Sequence, residues 1–444
     1  MKNIRFVAPS ALCTGCGACA GVCPTGAISM TWDDYGDRVA CVDESKCTEC
    51  GLCLRICPGH ELDYQQINEV SPRQENSQLL VGIGSHQRCE IIYATDGESF
   101  RQATSGGIVR TLVADLLERG EIDGALMITG NEELSFPFFA PAKIFTDPDE
   151  IRTHEIHSRY CPAPLLENLN QLEAGKRYAV VTLPCHTHAI RKLQRHDPAW
   201  KERIPYLFGL ICSGTPTASA NAYLFADNGV DPDTLVWLDY RYGEWPKGVF
   251  GRDRQGKLHN VRKMGGLKEQ NRLFQMIGVV YMSPYFWRRR CLFCADFFNQ
   301  YADIACGDPW VKRYWKGSIK DGIKGGTLCI VRTPEIAEQI ERLKAEGKIA
   351  TRMELTAQDI DGSMGLFQHK RIKYFAGYSR AVSRFGLKFP VHRNFVNPYG
   401  KALTLTARIN LLKSNLSKKR KRWPVFKYIQ FVEEGFAFLR RKLL

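Results

Sequence analysis

No uncharged stretch of this chain approaches the roughly 18 to 20 apolar residues that a membrane span requires. The opening residues, MKNIRFVAPSALC, also lack the apolar run of an export signal. Both absences point to a cytoplasmic protein, where thiols stay reduced and regular cysteine clusters read as metal sites rather than disulfides. That distinction matters, because the 444 residues include 17 cysteines. With 44% hydrophobic residues the chain can bury a substantial core, and its length suits two to four domains.

Nucleic-acid reader motifs are absent as well, although the formal net charge is +14. The excess is concentrated at one end. Residues 401–444 carry twelve Lys and Arg against only Glu433 and Glu434, a local excess of +10. Trp423, Phe426, Tyr428, Phe431, Phe436 and Phe438 are interspersed among these charges. Such a basic helical tail suits an anionic membrane surface on the inner face, or an acidic partner. A solvated helical end that aids solubility accounts for it equally, and no nucleic-acid partner is expected.

Residues 1–66 contain an internal repeat, Cys13-x-x-Cys16-x-x-Cys19-x-x-x-Cys23-Pro24 echoed by Cys47-x-x-Cys50-x-x-Cys53-x-x-x-Cys57-Pro58. Spacing and closing proline match the bacterial ferredoxin pattern, in which the fourth cysteine of each run serves the other cluster. One four-iron four-sulfur cluster then takes Cys13, Cys16, Cys19 and Cys57, and a second takes Cys47, Cys50, Cys53 and Cys23. Zinc ribbons use two separated cysteine pairs, a different arrangement. Gly15, Gly17 and Gly51 suit loops that wrap a cluster and turn their amides toward its sulfides. Cys41 lies outside both runs and reads as a core thiol.

The polar segment EVSPRQENSQ makes residues 67–80 a linker. Beyond it, apolar runs such as CEIIYAT, GALMIT, YAVVTL, YLFGLI and TLVWLDY alternate with helix-like SGGIVRTLVADLLERG and PEIAEQIERLKAEGK. The expected fold class is therefore α/β (α+β): a small two-cluster ferredoxin-like domain, a mixed α/β domain and a basic helical tail. Cys185 and Cys212 each follow a strand-like run, and Cys291 and Cys294 stand three apart, so four thiolates from three loops would suit a third cluster. Each of the four can also be an ordinary buried cysteine. Ser105-Gly106-Gly107 precedes an apolar-periodic helix, where free amides favour an anion. On the residues alone, a plain helix cap is the simpler account. Val81-Gly82-Ile83-Gly84 lacks the third glycine of a dinucleotide fingerprint and reads as a turn.

Taken together, Ser105-Gly106-Gly107, Ser158-Arg159-Tyr160, Leu183-Pro184-Cys185, Gly209 through Gly214, Cys291-x-x-Cys294-x-Asp296, Ala302-Asp303-Ile304 and Gly307-Asp308 fall in a familiar order. Over residues 88 to 350, approximately, the chain resembles the beta subunits of coenzyme F420 hydrogenases and dehydrogenases, with their bacterial and plastid relatives. The resemblance implies an N-terminal family domain over 81–170, a C-terminal one over 171–355, and an extension over 356–444. It implies bound FAD, contacted by Ser105, Gly106, Gly107, Arg159, Tyr160 and Asp308, beside a third four-iron four-sulfur cluster. The family usually carries Lys at Arg159 and Gly-Thr-Pro-Cys-Gln where this chain reads Thr182-Leu183-Pro184-Cys185-His186, so the differences line the expected pocket. His186 and His188 read as proton donors near the flavin or as polar loop residues.

The function expected is an oxidoreductase in which FAD exchanges two electrons with a hydride carrier or organic substrate while clusters pass them singly to a redox partner protein or soluble carrier. Its rivals are a non-catalytic electron-transfer subunit of a larger complex and a reductase with its own organic substrate. Nothing resembles a hydrogen-activating nickel site, so hydrogenase activity by this chain alone is not expected.

Overall fold

The computed structural model describes residues 3–9, 12–71, 82–101, 103–130, 133–134, 137–154, 157–243, 248–261, 285–314 and 325–365, with 367–368, 371–373, 375, 391–393, 412 and 423 beyond them. In the N-terminal unit, each cysteine loop runs into a short helix, Ala18–Gly21 and Leu52–Ile56. Between them lies the antiparallel hairpin of β1 (Ile28–Trp32) and β2 (Arg38–Val42), with Ile28 opposite Val42. β3 (Glu61–Asp63) leads into the helix Tyr64–Asn68, where the Asp63 carboxylate accepts the N–H groups of Gln65 and Gln66. Alternation along β2 turns Ala40 inward and Cys41 outward, so Cys41 is exposed, contrary to its reading as a core thiol.

The larger unit begins with β4 (Arg88–Ala94), β5 (Gly124–Ile128), β6 (Ala142–Phe145), β7 (Tyr178–Thr182) and β8 (Tyr206–Leu210). A separate three-stranded antiparallel sheet follows, of β9 (Leu235–Tyr242), β10 (Gly248–Asp253) and β11 (Leu258–Asn260). The chain then returns to the first sheet with β12 (Ile304–Gly307), β13 (Thr327–Val331) and β14 (Ile349–Leu355). The order across this eight-stranded sheet is β14-β4-β13-β12-β8-β7-β5-β6. Its middle, β12-β8-β7-β5, is parallel, and the flanking pairs are antiparallel. The architecture is thus a mixed α/β fold, as the alternation of apolar runs predicts.

Near-continuous apolar strands such as Gly124–Ile128 follow from burial on both faces. One face carries the helices Ile108–Glu118 and Pro334–Ala345, whose Leu112, Leu116, Ile336 and Ile340 meet Ala125, Phe208 and Ile304 of the strands. Thr333 caps the second of these helices and Pro334 opens it, a favourable pairing at a helix start. The opposite face receives the helix Pro184–His196, whose Ile190 and Leu193 pack with Val180 and Leu207.

The N-terminal unit docks on this second face. Cys16, Ala18 and Ile56 share a core with Leu165, Leu166, Leu169 and Leu207. Gly17, at φ 85°, is required there, because a Cβ would stand 2.5 Å from the Glu167 backbone nitrogen. β15 (Val391–Arg393) crosses back to pair in parallel with β3, so the C-terminal extension also reaches the N-terminal unit. The expected helical tail over 401–444 lies outside the described residues except for Leu412 and Trp423. Trp423 packs edge-on against Tyr223 at 5.1 Å, which places that aromatic on the body of the protein. Among the described residues no helix is long and apolar enough to cross a membrane.

A buried ion pair ties the docking face together: Arg191 donates to Asp303 at 2.7 Å and to the Tyr301 carbonyl at 3.0 Å, and Asp303 also accepts the Leu207 N–H at 2.7 Å. Arg191→Met leaves Asp303 buried without its cation. The expected cost is about 3 to 5 kcal/mol of unfolding free energy, read as a lower denaturation midpoint.

Candidate redox site

Cysteines of the two ferredoxin runs intermingle in space. Cys57 of the second run lies close enough to Cys13, Cys16 and Cys19 of the first for its charge to raise the pKa of each of the three. Cys23, Cys47, Cys50 and Cys53 line one small cavity with Asn3 and Gly51. Gly15, Gly17 and Gly51 all take positive φ, and the Gly15 N–H donates to Cys13 Sγ at 3.3 Å. Among the described residues no three Cys, His, Asp or Glu side chains converge on a single ion position; the thiols surround small cavities instead.

The two groups differ in surroundings. Burial pushes Cys13 up to about 12, lifts Cys16 and lifts Cys19 well above the usual thiol range. For Cys23, burial works upward, but the amides of Thr25, Ala27 and Gly26 outweigh it and the thiol shifts down. Cys50 is exposed. The first group therefore faces the protein body, whereas the second reaches solvent at Cys50 while its Cys53 stays buried.

Cys185, Cys212, Cys291 and Cys294 also line one cavity, with Thr14, Pro58, His188, Arg290 and Arg371. Cys185 sits in the first turn of the Pro184–His196 helix, Cys212 just beyond β8, and the other two on the turn Arg289–Phe293 and its end. Burial drives Cys185 well above the usual range, Cys212 up to about 12, and Cys294 upward. Negative charge on thiols buried this deeply would need cationic compensation. Arg371 supplies some, donating to the backbone carbonyls of Cys212 and, at 3.2 Å, Cys294. Arg288 supplies more. It holds Asp37 through bonds of 2.6 to 3.0 Å, and its guanidinium lies over Gly15, between Cys13 of the first group and Cys291 of this one.

A larger cavity, of about 280 Å³, opens at the carboxyl ends of the parallel strands. Ile128 from β5, Thr182 from β7, Leu210 from β8 and Gly307 from β12 all line it, where open α/β sheets place their ligands. Ser105, Gly107, Arg159, Tyr160 and Asp308 line it too, whereas Gly106 does not. The Ser105 hydroxyl donates to the Gly326 carbonyl and the Gly106 N–H to Thr327 Oγ1 at 2.9 Å, so both donors anchor the loop to the start of β13 rather than face an anion. The turn Ile108–Arg110, whose amides have no partner within the helix, lines the cavity instead. Cys212 belongs to both walls, bordering this cavity and the one around the four thiols.

His186 and His188 have structural partners. His186 Nδ1 accepts the Leu183 N–H at 3.2 Å while Nε2 lies 3.2 Å from the Ala163 carbonyl, which makes it a helix cap. His188 Nε2 sits 3.1 Å from Asp296, wedged edge-on between Tyr64 and Tyr301. Sequence reasoning missed His157, Asp239, Arg288 and Arg371. The one available signal was that His157 directly precedes Ser158-Arg159-Tyr160; Asp239 meets His157 across 82 residues, Arg371 the Cys212 carbonyl across 159 and Arg288 Asp37 across 251.

Grouped thiols beside a cavity at the sheet's carboxyl edge define an iron–sulfur electron-transfer oxidoreductase. Comparison with known proteins sharpens that class. Residues 12–60 match the 4Fe-4S dicluster domain, 91–170 the N-terminal part and 175–355 the C-terminal part of the coenzyme F420 hydrogenase/dehydrogenase beta subunit. The chain belongs to the family of these beta subunits and carries a dicluster domain in front of the family domains. A coenzyme F420-dependent sulfite reductase of Methanocaldococcus jannaschii is 24% identical over 320 residues, covering 69% of this chain and 43% of the relative. An F420-dependent formate dehydrogenase subunit beta of the same organism is 27% identical over 267 residues, covering 56% and 63%. The coenzyme F420 hydrogenase subunit beta of Methanothermobacter thermautotrophicus is 24% identical over 302 residues, covering 62% and 97%. The chain thus spans less than two thirds of the length of the first two relatives.

Gly15 tests the arrangement between the first and third thiol groups. A Cβ at this position would stand 2.2 Å from the Arg288 guanidinium, and the residue holds φ 59°. Gly15→Ala is expected to displace Arg288 from Asp37 and to lower the iron content of anaerobically purified protein by about four atoms per chain, measured by iron assay beside the wild type.

Proposed function

We propose that this chain is a cytoplasmic iron–sulfur flavoprotein subunit that exchanges a hydride with a soluble carrier or organic substrate and conducts the electrons to a redox partner protein. The observation that carries the reading is Cys212, the common wall of the large cavity and the third thiol group. From there Cys185 neighbours Cys16 of the first group, and Cys19 of that group neighbours Cys53 of the second. Cavity, third group, first group and second group thus form a continuous series that ends at exposed Cys50. Four-iron four-sulfur clusters held by Cys13, Cys16, Cys19 and Cys57, by Cys23, Cys47, Cys50 and Cys53, and by Cys185, Cys212, Cys291 and Cys294 would make that series a conductor.

FAD fits the large cavity on the chemistry of its walls. Buried Arg159 Nε and His157 Nε2 have no partner in the protein, and the helix N-terminus at Ile108–Arg110 suits a pyrophosphate. Gly107, Arg159, Tyr160 and Asp308 would hold the cofactor, with Ser105 shaping the loop. Bound FAD supplies the exchange between two-electron and one-electron chemistry. A second reading, an electron-transfer subunit whose substrate chemistry lies on another chain, is favoured by the relatives, two of which are named as subunits. The basic stretch 401–444 would then dock on an acidic partner or an anionic membrane surface.

Anaerobic purification with iron and flavin assays tests the reading: about twelve irons and one FAD per chain are expected. Cys212→Ser should remove about four irons and block reduction of the remaining clusters by a hydride donor, while Cys50→Ala should remove about four and leave flavin reduction intact. Protein without flavin, reduced only by a one-electron donor, would favour the second reading. Screening NADH, NADPH and reduced coenzyme F420 identifies the carrier.

A further inference from the structure

A hydride is two electrons and one proton, whereas an iron–sulfur cluster accepts electrons alone. On the proposed reading of the cavity, on which this inference rests, each hydride therefore leaves a proton behind that needs an acceptor.

His157 borders the cavity, is 6% exposed, and its Nδ1 lies 2.8 and 3.0 Å from the two oxygens of Asp239 on β9. Asp239 is fully buried and accepts the Arg241 N–H at 2.7 Å. Burial raises its carboxyl, but the His157 hydrogen bond and charge, with Arg241 and Arg159, outweigh this and hold it below the usual range. An ionised carboxylate only accepts, so Nδ1 carries the hydrogen, and in the neutral ring Nε2 is the nitrogen with the lone pair. That Nε2 is buried and has no partner in the protein. The loop is fixed to β9 on both sides of the ring's neighbours, by Arg159 on the Leu238 carbonyl and by the Tyr240 hydroxyl on the Tyr160 carbonyl at 3.2 Å.

We infer that His157 is a catalytic base of this cavity, whose Nε2 accepts the proton left by each hydride, and that Asp239 is the positioning residue that fixes its tautomer and balances the imidazolium. In the forward direction the carrier's C–H bond breaks, two oxidised clusters each gain one electron, and an N–H bond forms at Nε2, to be lost later to solvent. The reverse flow returns the proton by the same route. The other titratable or charged groups around the ring and cavity are Arg159 and Tyr160 on its own loop, Arg241 on β9, Arg110 from the Ile108–Glu118 helix, His186, Cys161, Cys212, Cys306 and Asp308. His186 is already bonded at both nitrogens and burial pushes it down to about 3, so it stays neutral. Asp308 is the alternative base.

Potentiometric titration of the flavin-loaded full-length protein at intervals across about pH 5 to 8 decides between them. The plot of flavin midpoint potential against pH should break where His157 ionises. His157→Gln should abolish the break, and Asp239→Asn should move it to lower pH by about one unit or more, because a stabilising anion is lost. A break that persists in flavin-loaded His157→Gln, or that Asp308→Asn abolishes, overturns the inference. Should His157→Gln fail to retain flavin, an unmoved break in Asp239→Asn overturns it as well. Wild-type protein that takes up no flavin overturns the reading of the cavity and this inference with it.

Discussion

The placement of the thiol groups in this chain depends on the docking of a small cysteine-rich unit against the large one through cationic side chains. Arg288 grips Asp37 on the hairpin, Lys192 donates to the carbonyls of Cys57 and Glu61, and Arg290 donates to those of Pro58 and Gly59. Each of these side chains leaves the body and ends on backbone or carboxylate of the N-terminal unit. A hydrophobic face alone would tolerate sliding; directional bonds to the loop after Cys57 fix one register. That register places Cys16 beside Cys185.

The sheet topology explains why the large cavity lies where it does. Four adjacent parallel strands end at one edge, and the loops that leave them cannot pair with one another as hairpins do. The crevice above that edge is closed on its far side by the loop His157–Tyr160, which β9 of the smaller sheet holds in place. The same edge delivers Cys212 from β8 and, one strand over, Cys185 after β7. A single set of strand ends thus builds both the cavity and half of the third thiol group.

Much of this was legible in the sequence because it is local. The ferredoxin spacing fixes which thiols meet, and the runs CEIIYAT, GALMIT, YAVVTL and YLFGLI appear as strands where their apolar character places them. The third thiol group was legible from Cys291-x-x-Cys294 and from two strand ends. What failed was the fine chemistry of Ser105 and Gly106, whose donors are taken by Gly326 and Thr327, 221 residues later. Arg288, Arg371 and the His157–Asp239 pair were invisible for the same reason. Their roles arise from long-range contacts, and an isolated Arg or His in a sequence carries no mark of the carboxylate it will meet.

The distribution of burial and charge along the thiol series has its own logic. A reduced cluster carries one more negative charge than an oxidised one, so burial in a low-dielectric interior disfavours reduction while a nearby cation favours it. The second group, open to solvent at Cys50, needs little help from the protein. The first and third groups are buried, and it is there that the guanidinium of Arg288 and, beyond the family match, that of Arg371 are placed. Cations set against the deepest thiols offset the desolvation that negative charge at those positions would meet. Residues beyond the family match therefore help to hold the third thiol group in place: Gln368 accepts the Phe297 N–H at 2.9 Å and donates to the Ala295 carbonyl at 2.7 Å, beside the bond of 3.2 Å from Arg371 to the Cys294 carbonyl.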